Sequence, residues 1–388
     1  AQGSNSRFPR RPLAKADAEV VAIGLGPQGA WVNGVAFFNQ LDGAYYNTAA
    51  GREMQEGPGD GTSNFGAAAD KIWIRDAIPV EGPTFDASNA HQPPIGQYHY
   101  HSNPLALRFQ LGDNVRWSAA GGRYVEAGAP FHHSPILGWA RDGYPIYGPY
   151  GYADCAATAA GTDAEVRRMR SGYVLRDGRQ GTTDLRSDGR KSLGRWAAFL
   201  HQLPTGTVDG QGRVALEASQ YGPDISTRYY LGRYNEDWEF LADLGQRQGQ
   251  GFDLDIHNGR ECRTPDYPDG TYAYYVTINE DGSAAYPYTV GRQVRGDPVG
   301  GRVTATTVSE PLTVHAVSTV GQEPAPEIRR EGSTRVVSWP GAEGAQYTVT
   351  ASVDGGQTWT GVASNVATPL PGSDPTPGGT GFFAAEPL

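Results

Sequence analysis

The 388-residue chain carries 32 basic and 42 acidic residues, a formal charge of -10, and only three of its basic residues are lysines (Lys15, Lys71, Lys191). No basic run follows a nucleic-acid backbone, which sets that partner class aside, and no apolar stretch approaches the ~18 residues of a membrane span. Glycine (53) and proline (28) make up about a fifth of the chain, yet 21 tyrosines and eight tryptophans supply material for a core built from short strands and many turns.

In chain order, residues 1–17 are polar and Arg-rich (Arg7, Arg10, Arg11) and read as an arm lying on the surface or on a partner. The start at Ala1-Gln2-Gly3-Ser4 resembles the mature side of a signal-peptidase cut, from which a secreted or periplasmic location is expected. Residues 18–320 form the main domain. Its alternating runs at 30–38, 71–75, 97–101 and 106–111 are separated by Gly, Pro and Asn/Asp clusters, the signature of strands and turns. Three short helices are expected: one opening at Thr162 through Met169, one across 192–203 (Leu193, Trp196, Leu200, Leu203), and one capped by Asn235 that carries Trp238 and Leu241. The polar, Gly-rich stretch from Arg176 to Arg190 reads as an exposed loop.

A faint internal repeat is present. Gly96-Gln97-Tyr98-His99-Tyr100-His101 resembles Gly270-Thr271-Tyr272-Ala273-Tyr274-Tyr275, and each follows an Asp/Asn-rich turn (86–89 and 253–258). The simplest account is a duplicated β unit whose second copy kept its tyrosines and lost its histidines. Beyond a linker at Glu323–Pro326, residues 321–388 alternate as strands around Trp339 and Trp359. They resemble a small fibronectin-III-like sandwich, with attachment to a cell surface or protein partner as its expected use. The fold class is therefore mainly β, a strand-and-turn-rich domain with few short helices plus a small C-terminal β module.

Five of the eight histidines (His91, His99, His101, His132, His133) fall within residues 91–133. Side chains at i and i+2 of a strand share a face, so His99 and His101 project together and can bind one ion. His133, leading into Ser134-Pro135-Ile136-Leu137-Gly138-Trp139, is the natural third donor, with His132 beside it. His91 serves equally well as a ligand or as a turn residue. His201, His257 and His315 read as structural. A nitrogen-rich site in an exported protein favours copper, with zinc the alternative. Neither cysteine (Cys155, Cys262) sits beside a histidine in sequence, and the pair permits one disulfide. Asp142, Tyr98, Tyr100, Tyr144 and Tyr147 are candidate partners for a ligand's far nitrogen; core packing is the plainer role for each tyrosine.

Two segments, 96–101 and 133–149, look like those of the YHYH-domain proteins, the second as an HSPI-G-A-DG-PIYGP block. The stretch 255–275 resembles that family's C-terminal portion. The resemblance implies metal binding more firmly than any reaction, and marks His133, rather than His132, as the family-matching member of its pair. Many members show a second YHYH, which Ala273 and Tyr275 interrupt in this sequence. Three functions remain open: a metal-binding or storing protein, a metalloenzyme with an open coordination position, and a structural or surface protein.

Overall fold

A computed structural model of the chain describes residues 5–6, 8–16, 21–55, 71–92, 96–128, 132–155, 165–203, 209–298 and 302–303, and six strands between 327 and 387. The chain divides into two compact units, Ser4–Thr304 and a second comprising Ala305–Leu388 with Ala1–Gly3. In the second unit the six strands pair as two three-stranded antiparallel sheets, so the alternation read from the sequence there is strand. His315 lies outside the described residues.

The first unit is organised on an eight-stranded sheet. Its strands are β1 (Gly29–Trp31), β2 (Ala36–Phe37), β3 (Ala90–His91), β4 (His99–Tyr100), β5 (Ile136–Ala140), β6 (Pro145–Tyr147), β7 (Gly259–Cys262) and β8 (Thr271–Tyr275). Their spatial order is β7-β8-β6-β5-β1-β2-β4-β3. Each half repeats one pattern: an antiparallel hairpin (β1–β2, β5–β6), then a second hairpin (β3–β4, β7–β8) whose last strand lies parallel to the first hairpin's return strand. The halves meet antiparallel at β1 and β5, with Ala30 opposite Trp139. Gly29 and Gly138 occupy equivalent places there. A Cβ on the first would strike the Trp139 carbonyl and a Cβ on the second the Ala30 carbonyl, so only glycine permits this approach.

The faint repeat in the sequence is thus a structural duplication. Asp86 accepts from the amides of Ser88 and Ala90 as Asp255 does from those of His257 and Gly259. Asn89 and Asn258 take positive φ (64° and 67°) at the same turn position. Tyr98 donates to Asp86, and Tyr272 to Asp255.

One core lies along this sheet (Ile23, Trp31, Phe37, Leu137, Ile146, Tyr274), and another gathers Trp73, Tyr173, Trp196, Phe240 and Tyr286. Helices are few and short: α1 (Ala77–Glu81), α2 (Leu105–Gln110), α3 (Leu185–Asp188) and α4 (Arg195–Leu200). Of the three expected, only α4 stands as a helix. Val166–Arg168 is a strand paired with Tyr150–Tyr152, and residues 156–164 lie outside the described residues. Asn235–Asp237 makes one 3₁₀ turn, after which Trp238–Phe240 pairs with Tyr173–Leu175, so sheet pairing overrides the helical spacing. The run at 106–111, expected as strand, lies almost wholly within α2. The stretch 176–190 is not a free loop: Arg176 and Arg190 are both fully buried.

Asp76 caps α1, accepting from the Ile78 amide (3.0 Å) while Tyr288 donates to its other oxygen (2.6 Å). Burial pushes its carboxyl up to about 8, against the opposing hydrogen bonds of Tyr288 and Ile78. The unfolded carboxyl ionises near 4, so this residue's contribution is fully present below that pH. It declines as pH rises through about 8. Asp76→Asn keeps the shape and an acceptor without the charge. Denaturant titrations at pH 5 and pH 9 are expected to move in the variant's favour relative to wild type at the higher pH; an unchanged difference would reject the assignment.

Candidate metal centre

The sequence sets His99 in β4 and His101 two residues on, just past its end, and antiparallel pairing places His91 of β3 directly opposite His99. The three imidazoles converge. His91 Nε2 lies 3.1 Å from His99 Nε2, which lies 2.9 Å from His101 Nε2. A fourth donor comes from the end of α1: Glu81 Oε2 stands 3.0 Å from His101 Nε2 and 3.3 Å from His91 Nε2. Neighbouring ligand atoms around an ion with bonds of ~2.0–2.1 Å are themselves about 3 Å apart. The three imidazole nitrogens have metal spacing, and Glu81 flanks two of them.

Proton positions follow from the far nitrogens. His99 Nδ1 faces the Gln97 carbonyl (2.7 Å) and His101 Nδ1 the Asn39 carbonyl (2.6 Å). Carbonyl oxygens only accept, so both Nδ1 atoms carry hydrogen. His91 Nδ1 faces Thr84 Oγ1 (2.8 Å), whose own hydrogen goes to the Glu81 carbonyl (2.6 Å); His91 Nδ1 therefore donates as well. In the neutral rings every Nε2 turns a lone pair toward the common centre. The short Nε2 contacts are then not hydrogen bonds but facing lone pairs, an arrangement that suits a cation between them. Glu81 Oε2 is buried without a hydrogen-bond partner, a costly state for a carboxylate oxygen unless a cation satisfies it.

Electrostatics agree. His99 and His101 are almost fully buried, and His91 is half-buried. Burial draws His99 down to about 4 and lowers His91, so both are neutral, the ligating form, at ordinary pH. Burial pushes the Glu81 carboxyl up, but the facing histidines, His101 foremost, outweigh it and hold it below its ordinary value, so it meets the centre as a carboxylate. Phe38 stacks on His99 (centroids 3.8 Å apart) and Phe85 on His101 (5.9 Å), so apolar rings flank the centre.

The remaining sequence candidates lie elsewhere. His133 precedes β5 and so belongs to the other half of the duplication. Its Nδ1 bonds the Ser134 carbonyl, and its ring packs edge-on against Tyr147 and Tyr152. His132 is exposed. Asp142 accepts from Tyr274 (2.6 Å) and the Gly296 amide (2.9 Å). Tyr100 and Tyr144 fill the core, and Tyr98 is spent on Asp86. None of these orients a ligand; Thr84, Gln97 and Asn39 do. Sequence reasoning missed Glu81 and Thr84, whose only signal is an acid and a hydroxyl flanking Gly82-Pro83. The cysteines are not joined: Cys155 is exposed, and the buried Cys262 sulfur lies 3.3 Å from the Tyr275 hydroxyl.

Thr84→Val keeps the side-chain shape and removes the acceptor that fixes His91. Partners of this kind are worth ~10–100-fold in metal affinity. A loss of that order is expected by isothermal titration, and unchanged affinity would remove Thr84 from the site.

The chain belongs to the YHYH protein family, whose model matches residues 5–286. No curated protein and no solved structure matches it. Among the described residues, His91, His99 and His101 are the one group of three or more His, Cys, Asp or Glu side chains with metal-binding spacing, and no helix is long and apolar enough to cross a membrane.

Proposed function

We propose that this chain is an exported protein that binds one transition-metal ion through His91, His99, His101 and Glu81, with copper favoured and zinc second. The observation that carries the reading is the convergence of three Nε2 lone pairs on a buried, unpartnered carboxylate oxygen. The order of metals draws support from the donor set and from its outline. The contacts run His91–His99–His101–Glu81 and back to His91. Among the described residues Glu81 Oε2 comes within 3.3 Å of His91 and within 3.0 Å of His101, with no such contact to His99. A four-cornered ring of N and O donors suits a tetragonal ion such as Cu(II) better than a regular tetrahedron. The second unit serves as an attachment module in this reading.

Elemental analysis of natively purified protein, followed by titration of the stripped chain with Cu(II) and Zn(II), tests the proposal. One ion per chain, with Cu(II) held more tightly, is the expected result. A metal-free sample that refuses both ions would sink it. Fractionation of the producing cell tests export.

A second reading, metal-dependent catalysis, is favoured by one observation. A cleft of about 510 Å³ is lined by Gly82 and Ser102, the immediate chain neighbours of Glu81 and His101, and by Phe85, whose ring stacks on His101. Phe85→Ala distinguishes the two readings. A small exogenous ligand such as azide that perturbs the Cu(II) spectrum in this variant and in wild type alike supports an open coordination position; no perturbation in either supports a closed binding site.

A further inference from the structure

The duplication assigns, residue by residue, what the second half holds where the first half has its metal ligands. In β3–β4, Ala90 pairs with Tyr100 and His91 with His99; in β7–β8, Gly259 pairs with Tyr274 and Arg260 with Ala273. The parallel contacts agree, since Phe37 pairs with Tyr100 as Ile146 does with Tyr274. Arg260 therefore stands where His91 stands, Ala273 where His99 stands, and Tyr275 where His101 stands.

The surroundings of Arg260 resemble a cation cage rather than an ion pair. The side chain is about as buried as the ligands of the first half, and among the described residues it makes no ion pair with a carboxylate. Its Nη2 donates to the Tyr152 carbonyl (2.6 Å), and its guanidinium lies over the Tyr275 ring, 5.5 Å from the centroid. Its Nε is buried without a partner. Its other neighbours are Cys262 and the Tyr275 hydroxyl, so no full negative charge faces it, and a buried cation without one is expensive to keep unless the cavity is shaped for positive charge. Nearby, His133 Nε2 lies 3.4 Å from the Tyr275 hydroxyl, so an imidazole already borders the place that corresponds to His101. Burial, and then the charge of Arg260 among the lesser causes, holds His133 neutral, near 4.

We infer that the second half contains a latent metal site, in which the Arg260 guanidinium is a built-in cation standing in for the ion that the first half is built to hold. The inference rests on the metal reading of the first half and goes beyond it. Three reversals, Arg260→His, Ala273→His and Tyr275→His, recreate the three-imidazole face at the equivalent register and remove the competing charge.

The test uses the full chain with the first site disabled by His99→Ala and His101→Ala, probed with Cu(II) or Zn(II) alone. The disabled chain is expected to bind no ion, and adding the three reversals is expected to restore one. A folded five-substitution chain, cooperative in its thermal melt, that still binds none overturns the latent site. Wild type binding no ion is a separate result, which overturns the metal reading and this inference with it. The reciprocal exchange covers a failure to fold. His91→Arg/His99→Ala/His101→Tyr copies the second half into the first. It is expected to bind no metal yet to melt higher than the His91/His99/His101 triple-alanine chain, because a guanidinium fills the cation's place. A melt no higher than that of the triple-alanine chain overturns the surrogate role of Arg260.

Discussion

Replacing His99 or His101 with alanine is expected to weaken Cu(II) binding by well over the ~100-fold that loss of an outer hydrogen-bond partner can cost, because each change removes a ligand atom itself. His91→Ala is expected to follow closely, its ring being held on one side by Thr84 and facing Glu81 on the other. Glu81→Gln keeps an oxygen but loses the charge, so its loss is smaller than that of any histidine. His133→Ala, His132→Ala and His201→Ala leave affinity unchanged. His133 is occupied by Ser134 and three tyrosines, and His201 bonds Glu236 (3.1 Å) in the other core. Isothermal titration of the seven variants gives the ordering directly. An essential His133 with a dispensable His91 would mean that the half-sheets exchange ligands, and the site would have to be redrawn.

The contrast between His91 and His133 marks how far sequence reasoning reaches. His99 and His101 were legible because alternation on a strand is a local rule: two residues apart means one face. His91 was only half legible, since its position opposite His99 depends on the register of a hairpin set by the Asp86–Asn89 turn. His133 was assigned by nearness along the chain, and that failed for a physical reason. The chain passes from one half of the sheet to the other between β4 and β5, so residues close to the motif in sequence are carried into the other half. Glu81 had no periodic signal, because α1 is barely more than one turn and contains Pro79. It is carried to the histidines by α1, which Asp76 caps and the bond from the Ala77 amide to the Gln40 carbonyl anchors. The duplication itself was readable from Tyr-rich strands and Asp/Asn turns.

The stretch that reads as an exposed loop leads to the second large effect: Arg190→Ala is expected to destabilise the first unit by ~3–5 kcal/mol, the cost of breaking a buried pair on one side. Arg190 and Asp237 are both fully buried and joined by two bonds, Nε to Oδ1 (2.7 Å) and Nη2 to Oδ2 (2.8 Å). The same guanidinium donates to the carbonyls of Pro223 (2.7 Å), Tyr229 (3.2 Å) and Tyr230 (3.0 Å), and lies 4.8 Å from the Tyr234 ring centroid. Truncation leaves Asp237 charged and buried, with only the amides of Gly232 and Tyr234 to hold it. At roughly 2–4 °C per kcal/mol for a domain of this size, the melting temperature should fall by about 10 °C. Arg190→Met/Asp237→Leu, which removes both charges, should recover much of the loss. If the double change is as damaging as the single one, packing rather than the stranded carboxylate is responsible. Below its melting temperature the alanine variant should still take up one ion with wild-type affinity, since Arg190 belongs to the second core and touches none of the four donors.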